Sequence, residues 1–560
     1  MYFYYVTAVD ASGNESVASA EIQGWTTQVQ VPGWPQATGG FNYPGVTMAD
    51  ADSNGTGEIY LGSHDFDFYG WNHDASPRDG FPLTTFFEIW STAACVDLDQ
   101  DGDQELIFGG RDARVYAING DGSPVFGSSP SFVDLSGTGA GIRSAVSVAD
   151  VDQDGEFEML WGTDLGTVYA YNHDGTPMNG GSGLLFTCPG GAAASLWGTL
   201  AVADFDDDGT REIAFASWND SLYVITAAGA RKPGFPRGGG GDFRGGVTAG
   251  DLDADGTLEI LAGNFDGNLY AFNHDGSNYV SGGILASAAG EFGGAVTLAN
   301  VDADPELEVF AGNFDGNLYA YNHDGSSFLA GQGGLFADLD PGTQPNDGIV
   351  AGPVVVDVDG DSDFEILVGH RNKNFYGFHH NGAIMVGMPI PTGDRIFGSA
   401  AAGDLDGDGG VDVAFASYDG TMNVLDFPGP STPDAYEWPT QGMNNYRTGV
   451  YGDLGPVVSS PDGLGRPVPI FALRQNMPNP FASGTAIEFS VPESKRVTLA
   501  VFNISGRLVR TLVDGEVPAG PSQVRWDGRD GGGNPLASGI YFYRLEDGQR
   551  TITRKGVLLR

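Results

Sequence analysis

Asp251-Leu252-Asp253-Ala254-Asp255-Gly256-Thr257-Leu258-Glu259-Ile260 sets three carboxylates on alternate residues and a fourth four residues later. Like charges this close resist joint ionisation. A hard divalent cation such as calcium, by contrast, prefers an oxygen cage of this kind. Gly256 falls where the loop must turn sharply, which predicts a positive φ, and Ile260 begins an extended run. Asp side chains also cap metal-free hairpin turns, but several ionised carboxylates at one turn still call for a counter-charge.

The spacing recurs as Asp50/Asp52/Asn54/Glu58, Asp97/Asp99/Asp101/Glu105, Asp150/Asp152/Asp154/Glu158 and Asp204/Asp206/Asp208/Glu212. Beyond Asp251/Asp253/Asp255/Glu259 it returns as Asn300/Asp302/Asp304/Glu308, Asp357/Asp359/Asp361/Glu365 and Asp404/Asp406/Asp408/Asp412. First positions lie 47 to 57 residues apart, the mark of a repeat architecture. Gly263 to Gly276 returns 49 residues later as Gly312 to Gly325, changed only at Phe272/Tyr321. One unit reads as a strand (246–249), the acidic loop, a strand (259–262), a turn, a strand (268–272), an Asn-His-Asp-Gly turn and a weak outer strand. Four short antiparallel strands per repeat make a β-propeller blade. The expectation is an all-β chain with an eight-bladed propeller over 25–450, seven blades being the alternative.

These units resemble the FG-GAP/VCBS repeats of integrin α-subunit propellers and bacterial exported proteins. The resemblance implies up to eight structural Ca2+ ions, held by side-chain oxygens at loop positions 1, 3, 5 and 9 and a backbone carbonyl at 7. The copy at Asn300 departs furthest, with one charge fewer and Pro305 where Gly is expected; Ser362 replaces the same Gly in the seventh copy. Ring closure is expected around Gly33-Trp34-Pro35, which resembles Glu437-Trp438-Pro439.

Residues 1–24, with Tyr2-Phe3-Tyr4-Tyr5 and a turn at Ser12-Gly13-Asn14, resemble the last hairpin of a fibronectin type III domain. The opening lacks the basic start of a secretory signal, and further sequence is expected before it. Residues 451–469 read as a linker. Residues 470–560 read as a small Ig-like sandwich with strands near 485–491, 496–503, 507–513, 521–526, 539–546 and 550–559. They resemble the C-terminal sorting domain of type IX secretion cargo and the Ig-like domain of flagellar hook-capping proteins, through Asn476-Met477-Pro478-Asn479-Pro480-Phe481, Trp526-Asp527-Gly528 and Ala537-Ser538-Gly539-Ile540-Tyr541. That likeness implies export, with the secretion machinery as partner and a secreted or cell-surface location.

The chain carries 73 acidic against 26 basic residues, a net charge of −47. Residues 466–560 run at +5 and residues 1–465 at −52, and 30 of the acids before 466 sit in the eight loops. Phosphate binding needs a basic surface, so nucleic acid is excluded as a partner. No apolar run of about 18 residues occurs, so no membrane-spanning helix is expected. Cys95 and Cys188 read as buried free thiols, a disulfide being the alternative.

His73, His173, His274 and His323 repeat in the Asn-His-Asp-Gly turn and read as a turn device rather than a catalytic set. Uniqueness marks instead the loops at the other end of the strands. There the sequence places Trp90, Arg111, Arg114, Arg143, Trp197, Trp218, Arg244, His370, Arg371, Lys373 and Arg395, with Phe265, Phe314 and Tyr418 in equivalent loops. Cations and aromatic rings about a propeller mouth suit an anionic glycan or a protein loop; solvated loops with packed rings are the plainer reading. No catalytic motif appears. The expected role is a secreted or cell-surface binding or adhesion module. The alternatives are an accessory region of a secreted hydrolase, such as a protease, and a propeller-type lyase for acidic polysaccharide.

Overall fold

The computed structural model of the chain describes residues 2–4, 22–24, 29–339 apart from 53, 100, 102, 207, 303 and 305, 348–431, and 435–451 apart from 442, 445 and 446. In the C-terminal part it describes 472–473, 481, 485–491, 495–503, 507–517, 520–526, 528–546 apart from 533 and 535, and 551–558. The expected linker after Tyr451, the turn at Ser12-Gly13-Asn14 and Pro305 lie outside the described residues; Tyr451 itself donates its N–H to Ala249 O.

Among the described residues of the first unit, Met1–Asp453, eight antiparallel sheets of four or five strands follow one another along the chain. The fifth is typical: Thr248–Gly250, Glu259–Gly263, Asn268–Asn273 and Ile284–Ser287 pair in chain order, with a bulge between Leu269 and Tyr270. The second strand of each sheet is buried along most of its length. Both faces of such a strand must therefore be apolar, as in Ile260-Leu261-Ala262. Rings interleave between neighbouring sheets: Phe68 stacks on Phe108 and Phe375 on Phe415, each pair with centroids 4.0 Å apart.

In four sheets a hydroxyl three residues before the first loop position stitches the innermost strand to the next sheet. Thr47 donates to Ala93 O at 2.8 Å, Ser147 to Leu200 O at 3.1 Å, and Thr248 to Val296 O at 2.7 Å. The succession closes where Val46 N donates to Ser399 O, joining the first sheet to the last. The last sheet is shared between distant parts of the chain. Ala401–Gly403, Gly410–Ala416 and Thr421–Pro430 take their outer partners from Val29–Gln30 and Gln36–Ala37. The segments flanking Trp34 thus make the closure expected of them. Glu437-Trp438-Pro439 does something else: Tyr436–Trp438 adds a fifth strand to the inner edge of the seventh sheet, against Val354–Val356.

From there the described residues of 435–451 run against the inner strands, a course the sequence did not suggest. Pro439 O accepts from Ala402, Thr448 O from Val202 and Gly449 O from Ala249. Arg447 is wholly buried and donates to Ala93 O, Thr47 Oγ1, Thr440 Oγ1 and Gln441 O at 2.7 to 3.0 Å. Five inner-strand neighbours are thereby tied to one segment crossing the axis.

Tyr2–Tyr4 pairs with Ile22–Gly24 in a separate two-stranded sheet. In the second unit, Leu454–Arg560, a three-stranded sheet (Ala472–Leu473, Thr485–Val491, Gly520–Trp526) accompanies a four-stranded one. The latter is ordered Leu508–Val517, Lys495–Asn503, Gly539–Glu546, Thr551–Leu558. Trp526, Phe489, Leu499 and Tyr543 meet in its core. Both cysteines are free and buried, and Cys95 Sγ donates to Gln104 Oε1 at 3.2 Å. Among the described residues no helix is long and apolar enough to cross a membrane.

Candidate functional site

The acidic loops join the first and second strands of every sheet, and their closing acid has one job in all eight. One of its oxygens accepts the backbone N–H of the residue after the first acid: Glu58 from Ala51 (2.9 Å), Glu105 from Leu98 (2.6 Å), Glu158 from Val151 (2.7 Å) and Glu212 from Phe205 (3.2 Å). Glu259 takes that of Leu252 (3.0 Å), Glu308 of Val301 (3.0 Å), Glu365 of Val358 (3.1 Å) and Asp412 of Leu405 (2.8 Å). The first Asp folds over the turn, as where Asp251 accepts from Asp255 N and Gly256 N at 2.9 Å. Gly256 has φ +98, and Ser362, in the Gly position of the seventh loop, has φ +75.

That backbone bond leaves each closing acid a second carboxylate oxygen. Ligand atoms of Asp50, Asp52 and Glu58, of Asp97, Asp99 and Asp101, of Asp150, Asp152 and Glu158, and of Asp204, Asp206 and Glu212 come within 4.8 Å of one another. Glu105 Oε1, Glu158 Oε1 and Asp150 Oδ1 are buried without a hydrogen-bond partner. Unbonded buried carboxylate oxygens in an all-oxygen set suit a hard divalent ion. Without a counter-charge, burial and then the neighbouring acids push Glu259 and Glu308 up to about 8, Glu158 to about 7 and Glu365 to about 9.

Position 5 also serves the turn: in the second loop Asp101 accepts Asp103 N at 3.0 Å and still belongs to its group. Asn54, Asp154 and Asp361 are exposed at position 5 and spend an oxygen on the turn itself. Asn54 accepts Thr56 N at 2.8 Å and the Thr56 hydroxyl at 2.6 Å, so its one side-chain oxygen is engaged twice. Asp154 accepts Glu156 N at 2.9 Å. Asp361 accepts Asp363 N at 2.9 Å, while Asp359 and Glu365 gather with His379. The cause is local: an Asx side chain readily reaches the N–H two residues on, and a carboxylate that does so keeps its second oxygen. The sixth loop departs from the expected set. Asn300 turns its amide onto Asp304 O at 2.7 Å, and Asp302, exposed, accepts Asp304 N at 2.9 Å.

Three loops meet a nitrogen group instead. Arg78 lies 2.7 Å from Glu58 Oε1 and 3.0 Å from Asp52, and Lys232 lies 3.0 Å from Glu212 Oε1 and 2.7 Å from Asp206. His379 Nδ1 is 2.9 Å from Glu365 Oε1. The eighth loop gains a carboxylate, Asp426, whose pKa burial raises, with Asp408 and Asp406 adding to the shift.

The repeated histidines sit in turns held by their neighbours: Asn72 Nδ2 donates to Ser76 Oγ at 2.9 Å, and Ser76 N to Asp74 Oδ1 at 3.0 Å. The same pattern recurs at Asn172, Asn273 and Asn322.

At the other end of the strands two repeat positions converge on the axis. The residue seven before the first acid of each loop reads Tyr43, Trp90, Arg143, Trp197, Arg244, Gly293, Val350, Phe397. The residue six after the closing acid reads His64, Arg111, Asp164, Trp218, Phe265, Phe314, Arg371, Tyr418. The first set lines a cavity of about 210 Å3, floored by Gln441 of the axial segment.

These side chains stack in an unbroken circuit. Tyr43 lies on Trp90 (4.6 Å); the Arg143 guanidinium is clamped between Trp90 (4.1 Å) and Trp197 (4.3 Å); Trp197 meets Trp218 (4.1 Å). Arg244 is clamped between Trp218 (3.9 Å) and Phe265 (4.2 Å), and Phe265 meets Phe314 edge-on (5.4 Å). Arg371 spans Phe314 (5.6 Å) and Phe397 (5.4 Å), and Phe397 returns to Tyr43 (4.9 Å). Gly293 leaves the space for this: a Cβ there would lie 2.3 Å from Phe314 and 2.7 Å from Phe265. Acids hold the cations from behind, Asp164 on Arg143 at 2.7 Å, Asp242 on Arg244 at 3.1 Å and Glu88 on Arg111 at 2.6 Å. His64 stacks on Trp90 at 5.0 Å, and burial lowers its pKa.

Of the mouth residues expected from sequence, Trp90, Arg111, Arg143, Trp197, Trp218, Arg244 and Arg371 come together, with Phe265, Phe314 and Tyr418. Four do not join the circuit. His370 is wholly buried, its Nδ1 accepting Asn372 N at 2.7 Å, because it ends a core strand. Arg114 lies over Phe86 and pairs with Asp134; Lys373 is exposed and donates to Gly393 O at 3.2 Å, and Arg395 is exposed. Tyr43, His64, Phe397 and Gln441 were missed, although counting seven back from each acidic loop finds Tyr43 and Phe397.

Residues 97–161 match the FG-GAP-like repeat family, and residues 479–549 match the FlgD Ig-like domain. No curated protein matches the chain. Among solved structures, Saccharomyces cerevisiae Sqt1 is similar at 12% identity over 72% of this chain and 100% of its own, with a TM-score of 0.50. The Dos1 propeller is similar at 10% identity (72% and 96% covered, TM-score 0.45), and the V. cholerae biofilm matrix protein Bap1 at 14% (95% and 68%, TM-score 0.34). At such identities the likeness bears on fold alone. The chain is an all-β protein with an FG-GAP-like repeat in a β-propeller, followed by a FlgD-type Ig-like domain.

Proposed function

We propose that this chain is a binding module working outside the cell, and that its propeller mouth holds an acidic glycan. The circuit of rings and guanidinium groups carries this reading. Sugar faces stack on aromatic rings, and carboxylates take charge-assisted hydrogen bonds from arginine. Arg143 and Arg244 are held in place by ring faces and by one acid each, which lowers the ordering cost of capture. The test is an array of acidic and neutral polysaccharides probed with the full chain and with Arg143→Ala and Arg244→Ala. Acidic glycans should be retained by the wild type and released at least tenfold faster by either variant. Equal retention of neutral glycans, or variants that bind as well, would overturn the reading.

His64 favours a second reading, a lyase for acidic polysaccharide. A neutral imidazole beside arginines is placed to take a proton from a sugar whose carboxylate those arginines neutralise. Unsaturated products from a bound glycan, lost in His64→Ala, would decide for it.

In the same reading the acidic loops bind Ca2+ structurally, each ion tying together the two strands its loop joins. The second unit serves as an export or surface-attachment domain of the type IX cargo kind, supported by the FlgD Ig-like match of residues 479–549. A reporter fused to residues 454–560 and expressed in a bacterium with that pathway should reach the surface or the medium. Retention inside the cell would count against it.

A further inference from the structure

The acidic loops look interchangeable in sequence, yet two of them already contain a cation. Twenty residues after the closing acid, the chain passes under the loop of its own sheet on its way to the outer strand. In five sheets this position is apolar or aromatic: Val125, Met178, Tyr279, Phe328 and Met385. Val125 and Met178 pack against the cores of their sheets, and Met385 is itself part of one. In the first and fourth sheets it is Arg78 and Lys232. The eighth equivalent lies outside the described residues.

Arg78 is 7% exposed and reaches Glu58 Oε1 at 2.7 Å and Asp52 Oδ2 at 3.0 Å. Lys232 is 14% exposed and reaches Glu212 Oε1 at 3.0 Å and Asp206 Oδ2 at 2.7 Å. Each cation bridges the acids at loop positions 3 and 9, the oxygens a divalent ion would need. In the second and third loops, where Val125 and Met178 stand instead, Glu105 Oε1 and Glu158 Oε1 are buried with no hydrogen-bond partner.

We infer that Arg78 and Lys232 are tethered substitutes for the metal, so that the first and fourth loops exclude divalent ions while other loops bind them. This rests on the calcium reading of the loops. A dication in either loop would share its carboxylate oxygens with a fixed positive charge, and that repulsion removes the gain from binding. The arrangement makes two sheets independent of calcium supply and the rest dependent on it.

The test is calcium stoichiometry on the full chain by equilibrium dialysis, for the wild type, Arg78→Met, Lys232→Met and the double variant. Methionine is the residue nature places at this position in the third and seventh sheets. The wild type should bind no more than six ions, each single variant one more, and the double variant two more. Eight ions in the wild type would overturn the inference while leaving the calcium reading intact. Variants that fold and bind no more than the wild type would also overturn it. No bound calcium in any form would remove the calcium reading and this inference together. A variant that fails to fold leaves the wild-type count to decide.

Discussion

Arg447 shows how much one residue can join. Its guanidinium stays charged at any ordinary pH and its five N–H groups need acceptors, which it finds on carbonyls and hydroxyls of the first and second sheets and of its own segment. Arg447→Met leaves those acceptors buried and unpaired, and should cost about 2–4 kcal/mol. Urea unfolding of the propeller reads that loss, and glycan capture by the folded fraction should not change. Turn acids give a smaller effect of opposite pH character. The Ser277 hydroxyl and N–H hold the Asp275 carboxyl below its ordinary 3.8. The unfolded chain therefore protonates first, so this bond contributes fully above pH 3.8 and is lost as pH falls through the lower folded value. Asp275→Ala should be less stable than the wild type at pH 6 by under about 1 kcal/mol, and the gap should narrow as pH falls below 3.8. Nothing local marked Arg447, since its partners lie up to 400 residues away. The turn was legible because its bonds span two to four residues.

At the scale of the element, the acidic loop is a short hairpin whose closing acid does two things with two oxygens. Glu259→Ala removes both and should destabilise the protein by about 1–3 kcal/mol even in chelator, because Leu252 N is buried without an acceptor. Glu259→Gln keeps that bond and should lose only the stabilisation that added calcium gives. Comparing melting temperatures of both variants with and without calcium separates the two roles. In the wild type, excess chelator should lower the melting temperature of the propeller sharply; an unchanged curve would refute structural calcium. The loop spacing and the turn at Gly256 could be read directly, because both are fixed within ten residues. Spacing alone did not show that Asn54, Asp154 and Asp361 also serve the turn, since that bond exists only once the backbone has folded. Arg78 and Lys232 were hidden as well, because a cation twenty residues downstream meets the loop only once the sheet has formed. The mouth was half legible for a similar reason: the loops that carry it follow from strand order, but which side chains turn inward depends on packing, as His370 demonstrates.

Across the whole molecule, the eight repeats foretold the eight sheets, while the path of the chain after the last one did not follow from them. The outer strands of the last sheet come from its first residues, Val29–Gln30 and Gln36–Ala37, nearly 400 positions from their partners at Thr421, Met422, Leu425 and Asp426. Deleting residues 25–37 should open the ring, bare the edge of Thr421–Pro430, and yield a protein that melts lower and aggregates at its exposed strand. Light scattering during a thermal ramp would register both. The likeness of Glu437-Trp438-Pro439 to Gly33-Trp34-Pro35 pointed to one shared task, yet one segment closes the circle and the other enters it. Because Gln441 and the described residues beside it floor the cavity, the bowl above them is a dead end. A guest must arrive and depart through the same doorway, so a long polymer can offer only a terminus or a bend, never be drawn through like thread.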